Sequence, residues 1–499
     1  MSSIPDRTSP ATRVTPAETP VPGLRRGALS LRETIVSTLA NLAPAEGIFL
    51  SITVVVGAMG ARAPWAFVIA AVAILCAGNT MAEFAKVMPS AGSFVTFISN
   101  GIGASSRGAG TFLGGVAFYL LMLCYPITLG AVVVFLGSWV TQVLNWTAGY
   151  AWLVVTLVSI AAVTPLLLRG VVISTMASFA LFVTEVIGLV VLSVGVLLLS
   201  GAHVSAPFHD IGGAPGGFNG LIGITFALAV SGYIGWENSG PLAEESANPR
   251  RYIPITIFSS ILIIAAIYLL STWAAVAGFA AWQGPLKGVN ALGSFNEAAP
   301  YLDLAKHYMP WFTWAIGLIG FTSALACFLA AANSQTRIIF NGAREGLLPG
   351  VVGRVGRSTG VPYVAVAIYV GLTVLLVVIP YFWPNSNPVS IFSDEAGVGT
   401  VPILLVYLCA NIALPIYMTR ARRDLFNPLT HLVVPVIGIA VLAYGVYEFV
   451  QPNQPAPGNT FWIYILALLV IGVAWTFVTR ARNPAALARV GSITVEDVA

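Results

Sequence analysis

The sequence carries very little charge for its length. Asp, Glu, Lys and Arg make up only 8% of its 499 residues, whereas an average soluble domain has about 25%. Hydrophobic residues account for 57% of the chain, and a soluble fold cannot bury that much apolar surface. The composition therefore excludes an ordinary soluble protein.

Cysteine and histidine are also scarce, with four residues of each. The cysteines are isolated within apolar segments, without the paired spacing of a redox or metal site and without the framework of a secreted protein. The histidines lie in loops or at the ends of apolar segments, and none has the HExxH spacing of a metal-dependent hydrolase. We therefore expect no cofactor, no metal site, no nucleic-acid partner and no enzymatic activity.

Long apolar runs, by contrast, are abundant. Each is close to the ~20 residues that a helix needs to cross ~30 Å of hydrocarbon. We predict an all-α polytopic membrane protein with twelve transmembrane helices surrounded by the lipid bilayer. The predicted spans are residues 33–59, 65–87, 111–142, 150–168, 173–200, 218–245, 254–278, 310–340, 362–382, 397–419, 429–450 and 460–480.

Positive residues are distributed unevenly between the two sides of the membrane. If the N-terminus is inside, only Arg62, Lys287 and Lys306 of the 23 Lys and Arg residues fall outside. Cytosolic segments carry an excess of Lys and Arg. This distribution predicts a multi-pass protein of the cytoplasmic membrane with both termini in the cytosol.

The two ends of the chain differ from the apolar region between them. The first 24 residues are rich in Ser, Thr and Pro and lack the apolar core of a signal peptide. We expect a disordered cytosolic tail over residues 1–30, a twelve-helix membrane domain over 31–481 and a cytosolic tail over 482–499.

The sixth predicted span is interrupted in its middle. Residues 231–240 read SGYIGWENSG and place three glycines and Glu237 inside an apolar run. Helix breakers and charges are costly at bilayer depth, so they persist mainly where unwound backbone faces a protected cavity and binds a ligand. The segment is a candidate substrate site.

The first predicted span contains a matching interruption, APAEG, with Pro44 and Gly47. Transporters are commonly built from inverted repeats whose binding sites lie at corresponding broken helices. Breaks in spans one and six predict a five-plus-five inverted repeat over residues 31–200 and 218–420, followed by two added helices over 429–480. For the first span alone, the alternative is an ordinary proline kink.

Two segments resemble a known family. GWENSGPLAEESANPRRYIP, from Gly235 to Pro254, resembles the sixth-helix signature of the amino acid-polyamine-organocation permeases. The segment from Ala324 to Val366 is similar to the family's eighth helix and the loop that follows. The resemblance covers roughly residues 30–480. The second match is carried by Arg337, Arg344, Glu345, Gly346, Leu348, Pro349, Thr359, Gly360 and Pro362.

The resemblance implies the fold of the bacterial leucine transporter and secondary transport of an amino acid or related amine, bound at the two breaks. A half-helix N-terminus supplies N–H groups for a carboxylate, and freed carbonyls suit an ammonium group or cation. The substrate-binding candidates are Ala43, Pro44, Ala45, Glu46 and Gly47 in the first break and Ser231, Gly232, Tyr233, Gly235, Trp236 and Glu237 in the sixth.

Glu46 departs from the family pattern, which has small residues such as Gly-Ser-Gly at this break. An acidic side chain beside an incoming carboxylate would repel it. Three explanations are open: the substrate carries an extra positive charge, Glu46 is a proton-coupling site, or the alignment is shifted by a residue.

The charged and aromatic residues of the sixth break each have two interpretations. Glu237 either recognises the amine or takes up the coupled proton, or it is satisfied by local backbone N–H groups after Gly235. Trp236 and Tyr233 either close over the substrate, including by cation–π attraction, or simply pack.

Coupling and gating candidates lie outside the breaks. Glu185 is either a proton relay or a partner for a neighbouring helix. The charges that follow the sixth break form either an inner gate or a solvated helix end before the Asn248-Pro249 turn. Polar residues of the eighth span lie near the expected ion site if sodium is used, or serve as interhelical contacts. The gate candidates are Glu244, Glu245, Arg250 and Arg251, and the polar residues are Asn333, Ser334 and Gln335.

Two connections are long enough to have structure of their own. Residues 88–110 could form a short amphipathic helix along the membrane. Residues 279–309 could form either a re-entrant lid over an outer vestibule or a solvated loop.

We predict proton-coupled uptake of an amino acid, with sodium as the alternative coupling ion. An amino acid/amine exchanger and a polyamine permease are the alternatives within transport. A channel would be expected to show a filter-like motif or a continuous polar pore, and neither is evident.

Overall fold

The structure is a computed structural model that describes residues 24–208, 224–294, 299–384, 386–451 and 458–496. Within these residues the regular secondary structure is helical, apart from one isolated parallel bridge between Leu29 and Ser246. The greater part of the predicted N-terminal tail lies outside the described residues.

The helices follow the predicted spans, with four additional short helices between or after them. In chain order they are α1 (Leu31–Asn41), α2 (Pro44–Met59), α3 (Pro64–Val87), α4 (Phe94–Gly103), α5 (Arg107–Val143), α6 (Ala151–Leu168), α7 (Val171–Leu199), α8 (Ile224–Ser231), α9 (Pro249–Gln283), α10 (Pro285–Leu292), α11 (Pro300–Tyr308), α12 (Thr313–Glu345), α13 (Tyr363–Tyr381), α14 (Pro388–Arg420), α15 (Val434–Val450), α16 (Phe461–Arg482) and α17 (Pro484–Ala488).

The number of membrane-spanning helices is at least ten. Ten helices of the described residues are long and apolar enough to cross a membrane, and the bent first span raises this to as many as eleven. Residues 218–223 of the sixth predicted span lie outside the described residues, and the described part, 224–245, contains the short helix α8, one 3₁₀ turn (Trp236–Ser239) and further turns. Its helix does not resume after the break, contrary to a simple broken span. The all-helical membrane fold is confirmed, and the count of twelve is not.

The first span is broken rather than kinked. α1 begins at a capping box, in which Ser30 and Glu33 bond to each other's backbone N–H groups. It ends at Asn41, and Ala43 adopts a left-handed conformation with φ of 44°. Pro44 then starts α2 at a position where its missing N–H costs nothing. The chain therefore changes direction at Ala43.

The helices are buried to very different extents. In α12 and α5, 89% and 78% of the most apolar window is buried, against 28% for the span that contains α15 and 22% for the one that contains α16. α5 and α12 therefore run through the centre, whereas α15 and α16 lie at the periphery. This arrangement agrees with two added C-terminal helices, and the five-plus-five repeat itself stays a prediction.

Both long connections contain helices. The connection at residues 88–110 forms α4, in which Phe94 and Phe97 are buried against the rest of the protein. The connection forms a helix, as predicted, and this helix packs on α5 and α14. Its placement along the membrane stays a prediction. The connection at residues 279–309 contains α10 and α11, in which Leu292 and Tyr301 are fully buried. Its described part is therefore a packed structure and not a solvated loop.

The C-terminal segment folds back onto α4 and the end of α12. Ser99 donates a hydrogen bond to the carbonyl of Val490 (2.7 Å), and the Gly491 N–H donates to Glu345 (3.0 Å). Val490 is fully buried. The described part of the tail beyond residue 482 is therefore docked rather than free.

Candidate functional site

The N-terminus of α2 holds a carboxylate from its own chain. The Ala45 N–H donates to Glu185 Oε1 on α7 at 2.6 Å. The Glu46 N–H donates to the Ser323 hydroxyl on α12 at 3.2 Å, and Ser323 in turn donates to the same Glu185 oxygen at 2.7 Å. A helix N-terminus attracts negative charge through its free N–H groups and dipole. Glu185 is held at this end of the helix.

This geometry bears on two predictions. The N–H groups at the start of α2 were expected to be free for a substrate carboxylate, and those of Ala45 and Glu46 are instead occupied by protein side chains. Glu185 does contact neighbouring helices, as one interpretation required, but its partners are a backbone N–H and a hydroxyl. No basic side chain of the described residues forms an ion pair with it.

Glu46 lies in the first turn of α2 with its side chain buried. One carboxyl oxygen of Glu46 and one of Glu185 are buried without a hydrogen-bond partner in the described structure. The two groups are close enough to interact electrostatically. Two neighbouring buried carboxylates without a cation are costly, so the pair favours binding a proton or an ammonium group.

Tyr268 of α9 links the first break to the sixth. Its hydroxyl donates to the carbonyl of Gly232 at 2.6 Å. A Cβ added to Gly47 would lie 2.4 Å from the same hydroxyl oxygen. Asn41 adds a second link, since its amide donates to the carbonyl of Gly235 at 3.4 Å. The two interruptions therefore meet in space, and Gly47 is glycine because the tyrosine approaches its backbone.

Glu237 is hydrogen-bonded within the sixth break. Its Oε2 accepts from the Gly235 N–H at 2.9 Å, and its Oε1 accepts from the Tyr125 hydroxyl at 3.1 Å. Gly235 reaches this position with φ of 114°, which only glycine adopts readily. The geometry is that of the second interpretation, a carboxylate satisfied by local backbone, with Tyr125 of α5 as an additional donor.

The aromatic residues of the sixth break are fully buried. Tyr233 donates its hydroxyl to the carbonyl of Phe67 at 2.8 Å. Trp236 packs edge-on against Tyr407 and Phe94, with ring centroids 5.3 and 6.1 Å apart, and its indole N–H is unpartnered. Tyr233 is thereby fixed by packing, whereas Trp236 retains a free donor beside the break.

Two buried ion pairs close one side of the site. Glu245 accepts two hydrogen bonds from Arg337 of α12, at 2.8 and 3.1 Å, and both side chains are only 1% exposed. Glu244 is paired in the same way with Arg344, which also bonds Asn341. Arg337 and Arg344 were recognised in the family motif, but not as the partners of these glutamates.

The predicted gate residues Arg250 and Arg251 do not take part. Arg250 pairs with Glu496 of the C-terminal segment, where both side chains are largely exposed, and Arg251 is exposed. The prediction that they join the inner gate was wrong, because α9 begins at Pro249 and directs both arginines toward solvent.

The segment before α1 covers these two ion pairs. The Leu29 N–H donates to the carbonyl of Glu245 at 2.8 Å, and the Ala247 N–H donates to the carbonyl of Leu29 at 2.9 Å. Leu29 is fully buried. On this side, access to the breaks is therefore closed by ion pairs, backbone hydrogen bonds and an apolar side chain.

An aromatic cluster closes the opposite side. Phe49 of α2 stacks on Tyr301 of α11 and on Trp139 of α5, with ring centroids 4.8 and 5.0 Å apart. All three rings are buried. α11 belongs to the connection at residues 279–309, so this connection covers the first break. In the described structure the site is therefore closed on both sides.

The polar residues predicted for an ion site form contacts between helices. Ser334 donates to the carbonyl of Asn238 at 2.8 Å, and Asn333 pairs with Ser174 at 2.7 Å. Gln335 bonds Tyr369. Ser231, one of the substrate-binding candidates, donates its hydroxyl to the carbonyl of Leu228 in its own helix. Within the described residues no group of three acidic, His or Cys side chains could hold a metal ion.

Several residues of the site carried no sequence signal. Ser323, Tyr268 and Tyr125 are uncharged residues within apolar helices, of the kind that also serve as ordinary packing. Only their contacts with the breaks distinguish them.

An all-helical membrane protein whose two interrupted segments meet in a buried, doubly closed polar site has the architecture of a small-molecule transporter. The chain matches the amino acid permease family over residues 34–488, and it belongs to that family. It is therefore a multi-pass amino acid transporter and not an enzyme.

Individual relatives extend over most of the chain. It is 26% identical to the γ-aminobutyric acid permease of Escherichia coli (strain K12) over 472 residues, which cover 91% of this chain and 94% of that protein. It is 24% identical to the branched-chain amino acid permease BcaP of Bacillus subtilis (strain 168), with 75% and 78% covered. It is 22% identical to the glutamate/serine transporter AimA of the same organism, with 82% and 74% covered.

Proposed function

We propose that this protein takes up an amino acid across the cytoplasmic membrane by alternating access, coupled to a proton, with both termini in the cytosol. The observation that carries the proposal is the Glu185 carboxylate seated on the N-terminus of α2. The excess of Lys and Arg in the segments assigned to the cytosol supports the orientation.

Glu185 occupies the position where a substrate carboxylate would bind. Two carboxylates cannot share the same N–H groups without strong repulsion, so the substrate must displace Glu185. A charge-assisted hydrogen bond is roughly twice as strong as a neutral one, and a proton on Glu185 therefore weakens its hold on Ala45. Proton binding and substrate binding then favour each other, which is the thermodynamic requirement for coupling.

Glu46 suits the other end of the substrate. Its unpartnered oxygen lies next to the same site, and an ammonium group bound there would compensate a charge that is otherwise uncompensated in the described residues. This role favours a substrate amine near the first break and keeps cationic amino acids and polyamines among the candidates. Glu237 has no unpartnered oxygen of this kind, because both of its carboxyl oxygens accept hydrogen bonds.

Alternating access requires the two closures to open in turn. Release to the cytosol requires separation of Glu245 from Arg337 and of Glu244 from Arg344, together with movement of the Leu29 segment. Entry from outside requires Phe49 and Tyr301 to separate, which is a displacement of α11 from α2.

Transport by purified protein in liposomes tests the proposal. The panel is γ-aminobutyric acid, the branched-chain amino acids, glutamate, serine, arginine and putrescine, each offered with and without an inwardly directed proton gradient. Accumulation that requires the gradient supports coupled uptake. Uptake that requires internal substrate and ignores the gradient would establish an exchanger instead, and accumulation driven by sodium alone would replace the coupling ion.

A further inference from the structure

Glu395 of α14 is a buried carboxylate that the site does not use. Its side chain is 7% exposed, and neither carboxyl oxygen has a hydrogen-bond partner within the described residues. One oxygen of the adjacent Asp394 is also buried without a partner. A carboxyl group with a purely structural role inside a membrane protein is normally hydrogen-bonded, and this one is not.

The carboxyl group of Glu395 is seated against α5 at Gly130. A Cβ added to Gly130 would lie 2.5 Å from Glu395 Oε2, so the absence of a side chain makes room for the acid. Further along α14, Gly397 lies against Phe461, the first residue of α16. Gly399 lies against Ile127 and Thr128 of α5. The glycines bring the helices close together around the carboxylate.

Glu395 has no positive partner in the described structure. The one titratable group that acts on it is Asp394 of the same helix. The side chains nearest to Gly397 and Gly399 of α14 are Phe461 of α16 and Ile127 and Thr128 of α5, and none of them ionises. Neighbouring acids that are buried without a cation are unfavourable, and a buried acid of this kind on a membrane-spanning helix is a candidate functional group.

The position of Glu395 connects it to the sixth break. α5 carries Tyr125, which donates to Glu237, five residues from Gly130, or about 7.5 Å along the helix axis. α14 carries Tyr407, which packs on Trp236 twelve residues further inward. In the proposed orientation, Glu395 lies on the outer part of the same pair of helices that line the sixth break.

We propose that Glu395 is an outer proton-binding site, distinct from Glu185, that sets the response of transport to external pH. The carboxylate takes a proton from water on the outer side, forming an O–H bond, and returns it to water when that bond breaks. The inference rests on the proposed proton coupling.

The test is the initial rate of uptake against external pH at fixed internal pH, in liposomes containing the full-length protein. The probe is a mixture of the standard amino acids with γ-aminobutyric acid. Wild-type uptake is expected to fall with rising external pH, by up to about tenfold per pH unit, the limit for one titrating group. Glu395→Gln is expected to reduce this dependence on the external side and to leave the part that comes from the coupled proton on Glu185.

Glu448→Gln is the matched control. Glu448 is also a buried glutamate, on α15, but its side chain is bonded by Gln451. This variant is expected to keep the wild-type profile. Gly130→Ala provides a second perturbation, because its new Cβ displaces the Glu395 carboxyl group without removing it, and it is expected to shift the profile. Counterflow and thermal stability report whether each variant is folded.

The outcomes separate the two claims. A wild-type profile in folded Glu395→Gln, with a flattened profile in Glu185→Gln, would overturn the outer site and leave the proposed function intact. Transport without pH dependence in the wild type would overturn both. Stimulation by external sodium that is lost in Glu395→Gln would overturn the assignment of the ligand as a proton.

Discussion

The buried ion pair between Glu245 and Arg337 makes a quantitative prediction about gating. Glu245→Gln leaves the Arg337 guanidinium, 1% exposed, without its counterion in the closed form. Removing one partner of a buried pair costs about 3–5 kcal/mol. In an inward-open form the guanidinium is hydrated, so the cost falls on the closed form alone. The variant is therefore expected to shift the equilibrium toward the inward-open form by roughly 10²-fold to 4 × 10³-fold, since about 1.4 kcal/mol corresponds to a factor of ten.

A cysteine at position 29 reports this shift. Leu29 is fully buried over the gate, so Leu29→Cys should be unreactive toward a membrane-impermeant maleimide applied to the cytosolic side. In the Glu245→Gln background its rate of modification should rise by at least one order of magnitude. The same background without the new cysteine measures any reaction of the four native cysteines.

The exposed pair of Arg250 and Glu496 provides the control. Surface ion pairs contribute about 0–1 kcal/mol, so Arg250→Gln should leave the labelling of Leu29→Cys nearly unchanged. Equal labelling in the Glu245→Gln and Arg250→Gln backgrounds would refute the view that the buried pair holds the cytosolic side closed.

Two further predictions concern close packing. Gly47→Ala is expected to reduce the initial rate of uptake, because its Cβ would meet the Tyr268 hydroxyl at 2.4 Å. Adding Tyr268→Phe should restore part of that rate, and a double variant no faster than Gly47→Ala would contradict the proposed contact. Val490→Asp, which buries a charge in the docked C-terminal segment, is expected to destabilise the purified protein by about 2–4 kcal/mol in thermal or denaturant unfolding. Ser492→Asp, at an exposed position, should leave stability unchanged, and similar losses in both variants would argue against docking.

The sequence predicts those features that depend on local chemistry. Apolar runs predict where most of the spans lie, because the hydrocarbon thickness sets helix length. Pro44 and Gly235 mark the two breaks because their backbone preferences are properties of single residues. These features needed no knowledge of distant contacts.

The partners of the charged residues could not be predicted in the same way. Glu244 and Glu245 were grouped with Arg250 and Arg251 because these residues are near in sequence, yet the paired arginines lie about a hundred residues away on α12. Opposite charges pair where tertiary packing buries them together, and the turn at Pro249 sends the nearer arginines into solvent. Glu395 was overlooked for a related reason, since the absence of a partner can be recognised only in three dimensions.

The most direct test of the account is the proton change that accompanies substrate binding. Purified protein in weakly buffered detergent solution, containing a pH indicator, receives the amino acid from the panel that gives the fastest uptake. Because the substrate displaces Glu185 and favours its protonated form, the wild type is expected to take up about one proton for each substrate bound. Glu185→Gln is expected to bind substrate without proton uptake. Substrate binding by the wild type without any proton change between about pH 5 and 8, or unchanged proton uptake in Glu185→Gln, would contradict coupling through this carboxylate.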